Sequence, residues 1–206
     1  MEYTLKSFDE KLHTIYLKGE VNEDMWSDLI EKISEIKKSD NEIIEQNKKS
    51  LTSIIKNYEF SIYSILEKPN INIYLSTYGG SIYDMFSIYD TIKNLTSEYI
   101  VNIYCIGKVM SAGTIIMLSV PLENRFAFQN TTFMYHTLST GVEGKIKDIE
   151  EDTNESKRLH KLMWNIYKNN TKIPQNMLDN IYKCKKDFYI TSEQAKNYKI
   201  ISKIVK

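Results

Sequence analysis

Cysteine is scarce in this chain, which has two in 206 residues, Cys105 and Cys184. Two thiols are too few for a disulfide framework, and they lack the Cys/His spacing of a zinc site. We therefore expect structural thiols in a reducing compartment, with no metal and no other cofactor.

An excess of charge is also missing, since 27 basic and 27 acidic residues leave a formal net charge of zero. This balance gives no general attraction to nucleic acid or to anionic lipid. No apolar run approaches the roughly 20 residues that span a bilayer, and the N-terminus lacks a basic patch followed by an apolar stretch. We expect a cytoplasmic protein with neither a nucleic-acid nor a membrane partner.

Flexible linkers rich in glycine, serine or proline are absent, so the chain is predicted to form one domain over residues 1–206. Strand-like segments such as INIYLST and YIVNIYCI are each followed by a turn and an amphipathic helix. Such repeated β-α units predict the α/β fold class with a largely parallel sheet.

Two segments depart from this alternation. In residues 39–68 the helical periodicity of apolar side chains weakens, first in a polar stretch and then in a second amphipathic segment. This pattern indicates an insertion. Residues 145–170 carry apolar side chains at helical spacing over a length greater than a small core needs.

Ser111 lies where a predicted strand turns into a helix, between Gly107 and Gly113. Free N–H groups and the positive end of the helix dipole collect at a helix start, so an oxyanion formed there would be stabilised. The local sequence alone favours a simpler interpretation, an ordinary helix-capping serine.

His136 closes an apolar run, which places it at a strand end, where α/β sheets usually carry their sites. Asp187 follows basic residues and by itself is typical of a solvated surface pair. A serine nucleophile needs a base, and that base needs a carboxylate to orient it, so Ser111, His136 and Asp187 could fill these three roles. His13 and His160 are assigned to the surface or to packing.

The Gly79-Gly80 pair is predicted to form a tight turn between a strand and a helix, from which an amide could reach an oxyanion. It matches neither the dinucleotide fingerprint nor the phosphate-binding loop, so nucleotide binding has little support.

Taken together, five segments resemble the ClpP family of serine proteases in order and spacing: YLKGEVNED, INIYLSTYGGSIYDMFSIYDTI, IYCIGKVMSAGT, RFAFQNTTFMYH and KKDFYITSEQAKNYKIISKI. The resemblance implies a ClpP/crotonase-like fold and an endopeptidase acting on unfolded polypeptides or short peptides. It assigns Ser111 as nucleophile, His136 as base and Asp187 as the orienting carboxylate. It also implies an oxyanion hole formed by the amides of Gly80 and Ala112.

The same resemblance implies a homo-oligomer of stacked sevenfold rings, with the helix at 145–170 as the handle that interlocks them. An ATP-driven AAA+ unfoldase is the family's partner, but the chain begins almost at the first strand, which argues against such docking here. Tyr78 stands where the family commonly has proline, Ala112 where it often has methionine, and Thr137-Leu138 replace the usual Gln-Pro. These departures could reshape the substrate groove without removing the triad. Three alternatives stay open: a catalytically silent ring subunit, which the departures near His136 and Ala112 would allow; a phage-type processing peptidase without an unfoldase, which the short N-terminus favours; and an acyl-CoA-handling crotonase, whose fold is similar.

Overall fold

The structure is a computed structural model, and it describes residues 6–54, 68–139, 141, 143–184 and 187–206. None of the helices in these ranges is long and apolar enough to cross a membrane.

Strands and helices alternate along most of the chain. The strands are β1 (Thr14–Val21), β2 (Ile71–Gly80), β3 (Val101–Met110), β4 (Arg125–Phe128), β5 (Thr132–Tyr135), β6 (Phe188–Thr191) and β7 (Lys203–Val205). The helices are α1 (Glu23–Ile54), α2 (Ile82–Leu95), α3 (Ala112–Ile116), α4 (Ile146–Asn170), α5 (Gln175–Cys184) and α6 (Ser192–Asn197).

The seven strands form one sheet in the order β1-β2-β3-β4-β7, with β5 beside β3 and β6 beside β5. Every pair is parallel except β5 with β6, which is antiparallel. Parallel neighbours need crossover connections, and the helices between the strands supply them. The predicted α/β fold with a largely parallel sheet is therefore confirmed.

The two faces of the sheet have different side chains, because successive residues of a strand point to opposite faces. Along β2, the buried row of Ile71, Ile73 and Leu75 packs into the apolar core together with the helices. The opposite face carries a row of stacked aromatic rings across four strands, at centroid distances of 5.5, 5.2 and 5.0 Å: Tyr16, Tyr74, Tyr104 and Phe126.

The predicted tight turn at Gly79-Gly80 is wrong, since β2 continues through Gly80 and pairs with β1 as far as Val21. Both glycines have positive φ, 109° for Gly79 and 154° for Gly80. Only glycine adopts such angles readily, and the register between β1 and β2 shifts just before this pair, as it does at a β-bulge.

The segment predicted as an insertion is partly described. Helix α1 continues through residues 39–54, so the first part of the segment extends this helix, whereas residues 55–67 lie outside the described residues. Buried polar side chains take the place of apolar ones on this extension, with Asp40 0% and Asn47 1% exposed. Helix α4 occupies the place of the long helix predicted at 145–170.

Candidate active site

Ser111 lies between the end of β3 and the start of α3, in a backbone conformation that serine rarely adopts. Its φ and ψ are 51° and −121°, which places it in the left-handed half of conformational space. Its N–H donates to the carbonyl of Met134 at 2.9 Å, which ties the turn to β5. Backbone strain of this kind clusters at functional sites, where the surrounding structure must hold it.

His136 follows the last residue of β5, as expected for a strand end. Its Nε2 atom lies 2.6 Å from the Ser111 Oγ atom, within hydrogen-bond distance. Because β5 pairs with β3 through Met110 and Met134, the serine turn and the histidine are carried by adjacent strands. The pair has the geometry that a general base needs to take a proton from a hydroxyl.

The glycine pair of β2 packs directly against the serine turn. A Cβ atom on Gly79 would lie 2.6 Å from Ser111 Cβ and 3.2 Å from the Ala112 nitrogen, so only glycine fits there. The Gly79 N–H already donates to Thr77 Oγ1 at 2.9 Å. This bond occupies the Gly79 amide and leaves Gly80, which lines the cavity, as the better candidate donor of the two.

Ala112 is the first residue of α3, and the first N–H groups of a helix have no acceptor within the helix. Ala112 also lines the cavity beside Ser111. Its amide is thus placed to donate to an oxygen held next to Ser111 Oγ. A tetrahedral oxyanion is the chemical species that such a donor stabilises best.

Asp187 immediately precedes β6, the strand that pairs with β5, and its side chain is exposed. The antiparallel register pairs Tyr135 with Phe188, so one step further places Asp187 opposite His136. Opposed residues of an antiparallel pair have Cβ atoms about 4.5–5.5 Å apart. The structure brings Ser111 and His136 together, and within the described ranges it shows no hydrogen bond between Asp187 and His136.

A cavity of about 250 Å³ opens beside the Ser111–His136 pair. Its lining includes four side chains from α2 and α4, namely Ile82, Met85, Met163 and Tyr167, and residues 137–139 after His136. The sequence pattern marked several of these positions only as the inner stripe of a helix. An apolar stripe that lines a cavity has the same periodicity as one that packs a core, so no sequence signal separates the two.

Tyr167 lines the cavity, and Tyr135 packs edge to face against it. Burial raises the pKa of the Tyr167 phenol, and it raises that of Tyr135 as well, so both remain neutral at physiological pH. Across the described ranges, no group of three or more His, Cys, Asp and Glu side chains is arranged to hold a metal ion.

Comparisons with known proteins agree on one family. A family model described as Clp protease matches residues 45–206. An ATP-dependent Clp protease proteolytic subunit from Deinococcus radiodurans is 28% identical over 135 residues, which are 66% of this chain and 64% of that protein. The match therefore spans somewhat less than two thirds of that relative's length.

Among solved structures, a ClpP1 mutant from Listeria monocytogenes is similar with a TM-score of 0.70. The alignment covers 95% of this chain and 92% of that one at 23% sequence identity. A likeness at this identity establishes the fold.

Proposed function

The chain belongs to the Clp protease family, and on this premise we propose that it is a serine endopeptidase. The observation that carries the proposal is the 2.6 Å contact between Ser111 Oγ and His136 Nε2 at the mouth of a cavity. In this proposal, the substrates are unfolded polypeptides or short peptides.

The first step is attack by Ser111 Oγ on the carbonyl carbon of the scissile peptide bond. His136 Nε2 accepts the hydroxyl proton as the new C–O bond forms, and it then donates this proton to the leaving amine as the C–N bond breaks. Water, activated by the same histidine, hydrolyses the acyl-enzyme and restores the serine. The short Oγ···Nε2 distance supports this assignment of roles.

The negative charge of the tetrahedral intermediate falls on the former carbonyl oxygen. We assign the Ala112 N–H and the Gly80 N–H as its hydrogen-bond donors, because both residues line the cavity next to Ser111. Donors that are already in place when the charge develops are worth about 100- to 1000-fold each in rate.

Asp187 completes the triad in this proposal as the carboxylate that orients His136. Its support is the β5–β6 register, because His136 and Asp187 are the residues next to the last pair of that ladder, Tyr135 and Phe188. A change of side-chain torsion would turn the exposed carboxylate toward the Nδ1 atom, where it would fix the tautomer and stabilise the imidazolium.

We further propose that copies of the chain assemble into stacked rings that enclose the active sites, with α4 as the contact between rings. Apolar side chains on α4 face solvent in the single chain, since Ile146 is 77% and Leu162 41% exposed. Ile149, one turn from Ile146, is 39% exposed as well, and neighbouring exposed apolar side chains are typical of a surface that a partner covers. An ATP-driven unfoldase as partner stays a prediction.

The test is labelling of the purified protein with a fluorophosphonate probe, followed by identification of the modified residue. We expect modification at Ser111 and its loss in Ser111→Ala, together with a loss of peptide cleavage of about 1000-fold or more. Ser119→Ala is the matched control, because this buried serine donates only to the Ile116 carbonyl outside the cavity. Labelling that persists in Ser111→Ala would contradict the assignment.

The alternative is a catalytically silent structural subunit. The observation that favours it is the absence of an Asp187–His136 hydrogen bond among the described residues. An assembled protein whose Ser111 never reacts with the probe would support this alternative.

A further inference from the structure

The strained conformation of Ser111 needs support on both sides of the residue. A non-glycine residue in such a region costs on the order of 1–3 kcal/mol and persists only when its surroundings hold it. On the N-terminal side, the Ser111 N–H donates to the Met134 carbonyl. On the C-terminal side, the Ser111 carbonyl is held by one residue, Thr114, through two hydrogen bonds.

These two bonds come from different groups of Thr114. Its backbone N–H donates at 2.9 Å and its hydroxyl at 2.6 Å, both to the Ser111 carbonyl oxygen. A carbonyl can only accept, so the single proton of the Thr114 hydroxyl is used in this contact. The second contact of the hydroxyl, 2.6 Å to the Tyr167 hydroxyl, must therefore have Tyr167 as its donor.

The direction of the chain of hydrogen bonds is thus fixed, from Tyr167 through Thr114 to the Ser111 carbonyl. Both side chains are buried, with Thr114 0% and Tyr167 1% exposed. Hydrogen bonds in series polarise one another, and they are stronger where water is excluded. Burial also keeps the Tyr167 phenol protonated by raising its pKa, so that it can donate.

Tyr167 also contacts the strand that carries His136, the second residue of the Ser111–His136 pair. Its ring packs edge to face against Tyr135 at a centroid distance of 5.2 Å, and Tyr135 immediately precedes His136. One side chain of α4 therefore contacts the support of the nucleophile and the strand that carries the base.

We propose that Thr114 and Tyr167 are positioning residues, whose hydroxyl relay holds Ser111 in its strained conformation beside His136 and so couples helix α4 to the reactivity of the nucleophile. This inference rests on the proposed function and adds to it two residues that fix the position of the nucleophile. Neither residue touches the reacting atoms in this role.

The experiment compares Thr114→Val, Thr114→Ser and Tyr167→Phe in two assays, the second-order rate of fluorophosphonate labelling and the kcat and KM of peptide cleavage. Valine keeps the shape of threonine and removes the hydroxyl, so we expect labelling about 10- to 100-fold slower. Tyr167→Phe removes only the donor of the relay, and we expect a decrease of about 3- to 10-fold. Serine restores the hydroxyl and should bring the rate to within about threefold of the natural protein.

Two control variants separate positioning from stability. Thr131→Val removes an equally buried hydroxyl that donates to the Cys105 carbonyl at 2.9 Å, and Tyr99→Phe removes a buried phenol hydroxyl bound to Asp40 at 2.8 Å. Both should lower Tm and leave the labelling rate unchanged. For the relay variants, the decrease should appear in kcat with KM within about twofold.

The double variant Thr114→Val/Tyr167→Phe distinguishes a relay from two separate contacts. In a relay, the second substitution removes a donor whose acceptor is already gone, so the double variant should be no slower than Thr114→Val. Multiplied effects would overturn the proposal, as would folded single variants that label at the natural rate. If the natural protein itself fails to label, the proposed function fails, whereas a failure confined to the relay variants leaves that function standing.

Discussion

Two histidines of this chain are held by short hydrogen bonds in opposite environments. His13 is 1% exposed, and its Nε2 atom lies 3.1 Å from Asp40 Oδ2, which also accepts from the Tyr99 hydroxyl at 2.8 Å. His136 is half-buried at the wall of a cavity, with Nε2 2.6 Å from Ser111 Oγ. Among the described residues, the first histidine is bound to a carboxylate, whereas the second is bound to a serine hydroxyl and to no carboxylate.

The His13 group is built for stability. Its Nδ1 atom lies 2.8 Å from the Asp9 carbonyl, which can only accept, so Nδ1 carries a proton. The hydrogen bond between Nε2 and Asp40 Oδ2 completes the contacts of the ring, and Asp40 is 0% exposed. These bonds tie the segment before β1 to the extension of α1, where Asn47 exchanges two hydrogen bonds with the backbone of Lys6.

A histidine–aspartate pair is therefore insufficient evidence for an active site in this molecule. What distinguishes His136 is a strained serine, two candidate amide donors and an open cavity on the same side of the sheet. The comparison can be tested by removing the partner of each histidine in turn and measuring activity and stability.

The largest effect is expected from Asp187→Asn. An asparagine cannot stabilise the imidazolium and favours the wrong tautomer of His136, so we expect kcat to fall by about 1000- to 10,000-fold. Because Asp187 is exposed, Tm should change little. The measurement is steady-state peptide cleavage beside a thermal melt.

Asp40→Asn is the matched control for this prediction, since it changes the buried carboxylate beside the other histidine. It should lower Tm and leave kcat per folded molecule unchanged. If Asp187→Asn retains more than about a tenth of the natural kcat, another group orients His136.

The next effect, on stability, is expected from His13→Ala. Removing one partner of a buried pair leaves the other uncompensated, which costs about 3–5 kcal/mol in the free energy of unfolding. Denaturant titration measures this loss. His136→Ala in the same titration should change the free energy by less than about 1 kcal/mol, because a half-exposed side chain leaves its partner accessible to water. A loss below about 1 kcal/mol for His13→Ala would show that the buried pair is not a stabilising one.

The sequence was informative where function depends on the ends of regular elements. The alternation of strands and helices predicts the parallel sheet, and a serine at a helix start with a histidine at a strand end predicts two groups that the adjacent strands β3 and β5 bring within 2.6 Å. Both predictions depend on where a residue lies within its own strand or helix, which can be judged from the neighbouring sequence.

The sequence was uninformative where polar side chains are buried. Asp40 lies in a stretch whose polarity suggests a break in the pattern, yet the helix continues, and one oxygen of the buried carboxylate, Oδ2, is bound by His13 and Tyr99. Thr114 and Tyr167 are 53 residues apart, so their contact depends on how α4 crosses α3. Hydrophobic periodicity carries no information on such pairs, since it treats a buried polar side chain as a solvent-facing one.

The smallest expected effect comes from Gly79→Ala, whose matched control is Gly19→Ala. The two glycines have nearly the same φ, 109° and 105°, and alanine is strained at either angle, at a cost of about 1–2 kcal/mol of stability. They differ in their surroundings, because a Cβ atom on Gly79 meets Ser111 Cβ at 2.6 Å and one on Gly19 meets nothing within 4 Å.

Displacing a nucleophile by a fraction of an ångström to 1 Å costs up to about 100-fold in rate. We therefore expect Gly79→Ala to slow the labelling of Ser111 by about 10- to 100-fold and Gly19→Ala to leave it unchanged, and Gly79→Ala should lower Tm more than Gly19→Ala does, because only its Cβ atom meets a neighbour. Equal labelling rates in the two variants would mean that the serine turn can shift away from β2 without losing His136, and strain alone would then account for both glycines.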